Sequence, residues 1–404
     1  MGSTTQHFAS HVITPFSQII HSRRDFLVDV RRHLHRNPEL SGYEKNTTQY
    51  LARLLQAEHL PIQIGPEDRG IIVDLGDPAA SRRIALRADI DAIPVNDVKS
   101  VDYRSTVENV MHACGHDAHS TMLLGALILL KHWFEEKQPE GIAVRAIFQP
   151  EEETARGAQS LIRHGVLEQV SAIIGSHVDP TRPVGTVGVR SGIVTAHCDE
   201  VIVEVSGVGG HGARPHETVD PIAAAVQFIN AIYASVNRRV DSQSPVVLSF
   251  GYIQGGHSCN VIPDRVQIFG TLRTLGKLAR QQTMETVSTI AAGIGAATGA
   301  GISVDWRTTV PSIFADQEIT HLLRDTCVAI LGEDHVNPIL NPSMGAEDFA
   351  FYTLQLPAAF VRVGCAGKQT GHLPLHNSGF DIDEAVLPIG AQILSSCAVN
   401  YLTR

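Results

Sequence analysis

Four short runs rich in isoleucine and valine, residues 70–75, 84–90, 142–148 and 172–175, mark the first half of the chain. The later runs are separated by stretches with helical periodicity, 121–134 and 157–164. Apolar runs of strand length without strict alternation suit strands covered on both faces. Such strands alternating with helices leave few solutions, and the expectation is an α/β domain with a central mixed sheet flanked by helices. Two helices are expected ahead of the sheet. One spans 22–34, where Phe26, Leu27, Val30 and Leu34 recur, and stops at Asn37-Pro38 because proline disfavours helical backbone in the residue before it. The other spans about 46–57.

From about residue 193 the pattern changes. A strand at 197–205 leads to a helix at 221–237, strands at 246–253 and 265–272, a helix at 279–297 and a strand at 302–306. The order β-α-β-β-α-β is that of a ferredoxin-like unit. A chain of 404 residues exceeds what one hydrophobic core usually serves. Two domains are therefore expected: residues 1–192 with 309–404, and an inserted domain at 193–308, joined by short hinges near Gly192 and Pro311.

Charge narrows the partners. With 32 basic against 42 acidic residues the formal charge is -10, which argues against a surface that tracks phosphates and hence against nucleic acid. The longest apolar stretch of helical character, 122–130, is too short to span a membrane, and the first 25 residues mix His, Gln, Arg and Asp without an apolar leader core. A cytoplasmic protein with no membrane partner is expected. The six cysteines follow no disulfide spacing, so most are expected to be buried free thiols. Cys114 stands apart because MHACGHDAHS, residues 111–120, sets it among three histidines.

Other ligand-type residues gather where strands end. Asp89 and Asp91 close one run, Gln149 to Glu153 follow the next, and His177 follows a third. Ligands of open α/β sheets collect outside the carboxyl ends of the strands, so these segments converge. Cys114 and His116 are two apart in a short loop before a helix, where extended backbone would aim both the same way. A thiolate near a helix N-terminus suits a borderline-soft divalent ion. Taken alone, a buried thiol beside hydrogen-bonded histidines accounts for the pair equally well. The three glutamates of FQPEEET, 148–154, would be costly to bury unpaired, and a cation removes that cost; one can ligate while the next faces a water. Alone they would read as a solvated acidic turn. His177 in GSHVDP and His376 in LPLHNSGFD are expected in loops. Together these residues form a mixed sulfur, nitrogen and oxygen donor set for one or two divalent ions of Zn, Mn, Co or Ni.

MHACGHD, FQPEEE, GSHVDP, GVGGHGARPH, NVIPD, GAEDF and PLHNSGFDID, in this order and spacing, resemble the M20 metallopeptidase family. The chain is most similar to its amidohydrolase branch, which includes hippurate hydrolases, N-acyl-amino-acid amidohydrolases and indole-acetyl-amino-acid hydrolases. The resemblance runs from about Phe26 to the C-terminus. It implies a dinuclear metal site with Cys114, His116, Glu153, His177 and His376 as ligands, Glu152 as general base, and Asp89 orienting a metal-bound histidine. Arg87 stands where other M20 members have a metal-binding histidine. In the insertion, His211 would reach across a dimer interface to the partner's site and stabilise the oxyanion. Asn260 and Arg273 would hold the substrate, Arg273 being suited to a carboxylate. His112, Asp117 and His119 would support the loop.

The implied activity is metal-dependent hydrolysis of the amide bond of an N-acyl-amino acid to a carboxylic acid and a free amino acid, by a homodimer pairing through 193–308. One alternative is a dipeptidase, which must also recognise an α-amino group; Glu347 and Asp348 are its candidates. The other is a non-enzymatic metal- or ligand-binding protein, against which Glu152 speaks, since a sensor needs ligands but no base.

Overall fold

A computed structural model describes residues 9–404. Residues 1–8, part of the stretch read above as lacking a leader core, lie outside them. In chain order, α1 (Thr14–Ser22), α2 (Arg24–Arg36) and α3 (Lys45–Ala57) precede β1 (Ile62–Ile64), β2 (Ile71–Gly76) and β3 (Arg82–Asp89). Then come α4 (His116–Lys137), β4 (Ile142–Gln149), α5 (Gly157–Arg163), β5 (Ala172–Pro183) and β6 (Val187–Val189). The insertion supplies β7 (His197–Ser206), α6 (Pro221–Arg239), β8 (Val246–Gly255), β9 (Arg265–Thr274), α7 (Lys277–Thr298) and β10 (Gly301–Val310). The chain ends with α8 (Gln317–Leu331), β11 (Val336–Pro338), β12 (Ala358–Ala366) and α9 (Val386–Leu402).

The chain forms two compact units. One takes the described residues up to Val194, together with Phe314–Asn341 and Glu347–Arg404; the other is Thr195–Ile313 with Pro342–Ala346. The short segment 342–346 was not anticipated in the second unit. It belongs there because Ala196 N–H donates to Ser343 O at 2.8 Å and Thr195 pairs with Ser343.

In the first unit eight strands form one mixed sheet in the order β1-β2-β4-β3-β5-β12-β6-β11. β3 runs parallel to β4 and β5, and β5 parallel to β12, while β2 runs antiparallel to β4. β3 is buried along nearly its whole length, as expected for a strand covered on both faces. α4 is buried on all sides through its first four turns, and α9 is likewise buried almost throughout. The two approach closely where Gly390 meets Met122; a Cβ on Gly390 would collide with the Met122 sulfur.

Three local expectations change. α4 begins at His116 rather than at 121, so His116, Asp117 and His119 lie in its first turn. The backbone between Cys114 and His116 is also not extended: Gly115 has φ 87°, and a Cβ there would strike Val178. His177 lies within β5 rather than in a loop, because β12 continues beside it with Arg362 opposite His177.

The second unit has the element order β7-α6-β8-β9-α7-β10 and a fully antiparallel sheet ordered β8-β9-β7-β10. Val201, Val203 and Val205 of β7 and Val266 and Ile268 of β9 pack with Phe228 and Ile232 of α6 and Val287 of α7. The alternation along β9, buried then less buried, is that of a sheet covered on one face. α6 opens on Asp220, whose carboxylate accepts from Ile222 N and Ala223 N, with Pro221 in the first turn. The edge strand β8 is mostly exposed, including Val247, Tyr252 and Ile253, as are Ile222, Val226 and Tyr233 of α6.

Candidate metal centre

β3 and β4 end side by side while β5 continues past them, and the two exits together with the middle of β5 bring the ligand-type residues of the first unit together. Asp89 pairs in register with Gln149, so the turn 150–153 leaves β4 next to the residues that follow β3. The N-terminus of α4 faces the same place. Cys114, His116 and His177 present donor atoms within 4.8 Å of one another, as do Cys114, Glu153 and His376, and also His116, Glu152 and Glu153. Cys114 is common to the first two groups.

Hydrogen bonds assign the histidine tautomers. His116 Nδ1 lies 2.9 Å from Asp91 O and 3.1 Å from Asp91 Oδ1, so it carries the proton and leaves Nε2 as the lone-pair nitrogen. His177 Nδ1 donates to Val178 O at 2.7 Å, which frees its Nε2, 3.4 Å from Cys114 Sγ. His119 differs: its Nε2 accepts from Val178 N at 2.9 Å, so Nδ1 donates to Asp89 Oδ1 at 2.6 Å. Asp89 Oδ2 is 3.7 Å from His116 Nε2. The carboxylate that orients His116 through Nδ1 is thus Asp91, which the sequence reading did not assign, while Asp89 serves His119. Asp91 Oδ2 also accepts from Ser41 Oγ at 2.7 Å and from Glu153 N at 3.0 Å.

The residues present fit a cation. His116 Nε2 is buried without a hydrogen-bond partner, although buried polar atoms are nearly always paired. The electrostatics agree. Burial lowers the affinity of His116 for a proton, but Asp89 and its other neighbours outweigh it and raise its pKa well above the usual histidine value. Burial, then Glu347 and Asp348, hold the Glu152 carboxyl well above the usual carboxylate range. Burial pushes the Cys114 thiol up to about 12. Without a cation this cluster therefore attracts protons; a divalent ion supplies the positive charge instead and favours the thiolate. His177 is already suited to ligation, since burial and then Arg362 keep its imidazole neutral. His376 is half-exposed, has a left-handed backbone at φ 66°, and holds Nε2 3.3 Å from Glu153 Oε1. Such a conformation is costly for a residue with a Cβ and points to a functional constraint.

Behind Glu152 lies a second cluster. Arg87 is fully buried and donates to Gln149 Oε1 at 2.9 Å, Asp89 Oδ2 at 2.8 Å and Asp348 Oδ1 at 2.7 Å, with Glu347 Oε1 at 3.2 Å. Glu152 Oε1 accepts from Asp348 N at 3.2 Å. An arginine inside the apolar run IALRADI was itself a signal, because a buried charge must be paired.

His211, Asn260 and Arg273 belong to the second unit. His211 and Asn260 are neighbours: His211 pairs with Val261, and Gly212 N donates to Asn260 O at 2.8 Å. Ala213 N donates to His211 Nδ1 at 3.1 Å, which places the ring proton on the exposed Nε2. Arg273 lies in β9, half-buried, with Nη1 3.3 Å from Met344 O.

Known proteins share both the sequence and the fold. An N-acetylcysteine deacetylase of Bacillus subtilis is 38% identical over 93% of this chain and 97% of its own length. An IAA-amino acid hydrolase of Arabidopsis thaliana (ILR1-like 4) is 35% identical over 94% of this chain and 86% of its own. The crystal structure of the Bacillus subtilis YXEP protein, described as a dinuclear metal binding peptidase from the M20 family, aligns with a TM-score of 0.82 and 34% identity over 95% of this chain and 99% of that one. Residues 85–400 match the description of peptidase family M20/M25/M40, and with relatives this similar along nearly the full length, the chain belongs to that family.

Proposed function

We propose that the protein is a metal-dependent amidohydrolase that cleaves N-acyl-amino acids. The observation that carries this reading is Glu152, a buried carboxylate grouped with His116 and Glu153 at the edge of the ligand set, backed by Glu347 and Asp348. The relatives named as a deacetylase and an amino acid hydrolase support the substrate class.

Cys114, His116, Glu153, His177 and His376 would hold one or two divalent ions, which when bound activate water and polarise the acyl carbonyl. Glu152 takes the proton of the attacking water and delivers it to the leaving nitrogen; burial and its acidic neighbours raise its basicity for that task. His211 offers its Nε2 proton to the developing oxyanion. Arg273 binds the carboxylate of the amino acid half through its guanidinium fork, and Asn260, beside His211, orients the same substrate. Asp348 is poorly placed to recognise a substrate amine, because its oxygens already accept from Arg87, Gln149 and Ala158 N. That favours an acyl substrate over a dipeptide.

The second unit is proposed to be a ferredoxin-like lid and dimerisation domain, the first the catalytic domain. The β-α-β-β-α-β order, the exposed edge of β8 and the exposed apolar residues of α6 support this. A two-fold pairing through these surfaces would give a homodimer in which His211 serves the partner's site.

The reading is tested with acetyl-, benzoyl- and indole-acetyl-amino acids and with dipeptides, on metal-stripped protein reconstituted with Zn, Mn, Co or Ni. Release of free amino acid from an acylated substrate, lost on chelation and restored by metal, is expected. Full turnover by protein shown to be metal-free would refute it, and cleavage of dipeptides alone would move the assignment to a dipeptidase.

A further inference from the structure

We propose that Arg31 is a positioning residue for the loop that carries His376, acting through the buried carboxylates Asp117 and Asp381. This rests on the metal reading above.

Among the candidate ligands, His376 lies farthest from regular structure, ten residues from the nearest strand or helix end. Cys114 and His116 stand at the N-terminus of α4, His177 lies in β5, and Glu153 is four residues past β4. His376 lies in the connection between β12 and α9, residues 367–385, which has no helix or strand of its own. Connections that long are uncommon in compact domains unless functional. Among the bonds that hold its course are His376 N to Ala113 O at 2.8 Å, Val98 N to Ser378 O at 3.1 Å, Lys99 Nζ to Phe380 O at 2.9 Å, Arg32 Nη2 to Glu384 Oε2 at 2.8 Å, and Arg31 Nη2 to Asp381 Oδ1 at 2.8 Å.

Arg32 is partly exposed, whereas the Arg31 side chain is fully buried, and the other end of the Arg31 guanidinium holds the neighbour of His116. Arg31 Nε donates to Asp117 Oδ2 at 2.9 Å, and both side chains are fully buried. Each carboxylate is braced a second time, Asp381 Oδ2 by the Tyr103 hydroxyl at 2.7 Å and Asp117 Oδ2 by His35 Nδ1 at 2.7 Å. Nη1 lies 3.4 Å from Glu384 Oε1. A guanidinium is a planar fork of fixed dimensions. Neither carboxylate can move without leaving a buried charge unpaired, which is strongly unfavourable. The fork therefore fixes the separation between the chain at 117 and the chain at 381. With it is set the gap across which Cys114, Glu153 and His376 face one ion.

The test is calorimetric titration of the metal-stripped full chain with Mn2+, comparing Asp381→Asn with His376→Ala and His177→Ala. Asp381→Asn keeps Arg31 paired with Asp117 and removes only the charge at position 381. It is expected to weaken the component of Mn2+ binding that His376→Ala removes by about 10–100-fold, the usual range for partners of metal ligands, and to leave the component that depends on His177. Leu51→Ala, in the buried face of α3, is the control for lost stability and should lower the melting temperature without moving Mn2+ affinity. Wild-type Mn2+ binding by Asp381→Asn, or an equal loss in Leu51→Ala, overturns the proposal. Should Asp381→Asn fail to fold, Tyr103→Phe removes only the hydroxyl on Asp381, and it is expected to weaken the same component by a smaller factor; an unchanged titration overturns the proposal equally. Wild-type protein that binds no Mn2+ removes the metal reading itself, and this proposal with it.

Discussion

Asp91 joins three segments through one carboxyl group: the His116 ring, the Glu153 backbone and the Ser41 hydroxyl. Asp91→Asn replaces one of those acceptor oxygens with a donor amide. Divalent-metal affinity is expected to fall about 10–100-fold, measured by competition with a chelator, while the ligands themselves are untouched. Glu152→Gln should do the reverse, keeping the metal content and lowering kcat by at least ~10²-fold, the low end for a lost general base. Emptying of the site by Glu152→Gln, with Glu153→Gln still loaded, would exchange the two roles. The candidate donor atoms that the fold brings within reach of one another were legible in the sequence because thiol, imidazole and carboxylate announce their chemistry. Asp91 was not, since two aspartates at one strand exit look alike. Which of them meets His116 is decided by how the chain runs after β3, where Ala92 and Ile93 pair with Leu40 and Met111, partners from other parts of the sequence.

The helices show the same division. The amphipathic α2 was legible within two residues, because one face is buried and the other is not. α4 lacks that contrast, being buried all round for most of its length, so its first turn, which holds His116, carries no periodic signal in the sequence. The extension of β5 through His177 was hidden for another reason: β12, which pairs with it, lies far along the chain. Packing of α4 on α9 also sets a sharp limit at Gly390. Gly390→Ala should destabilise the fold by about 1–3 kcal/mol, the usual cost of overpacking, seen as a lower denaturation midpoint. In the second unit, Asp199 is buried and would on that account bind a proton more readily, but hydrogen bonds with His197 and Arg280 hold its carboxyl well below the ordinary value. A carboxyl whose pKa is depressed by folding stabilises the folded state fully above its unfolded value of about 4, and that contribution is lost as pH falls below about 4. Thermal unfolding followed across that range should show a steeper acid loss for wild type than for Asp199→Asn. Parallel curves would mean that Asp199 contributes nothing to acid sensitivity.

At the scale of the whole molecule, the proposed dimer makes a prediction that neither subunit can satisfy alone. His211→Ala and Glu152→Gln proteins, each nearly inactive, should recover about a quarter of the wild-type rate after random subunit exchange, because half of the dimers are mixed and one of their two sites is intact. No recovery in verified heterodimers would place His211 in its own subunit's site or outside catalysis.

Burial of the thiols has a consequence that can be counted. Five of the six cysteines are free and buried, in line with the expectation for most of them, and Cys259 is exposed in the loop beside Asn260. Buried thiols are shielded from reagents in water until the chain opens. A thiol-reactive chromophore should therefore register one rapid equivalent on the native protein and six after denaturation, and the climb between those two numbers is a clock for unfolding that needs no substrate and no metal. A dye attached to Cys259 would occupy a single known address next to Asn260, and a change in its light on adding an N-acyl-amino acid would report the substrate contact proposed for Asn260.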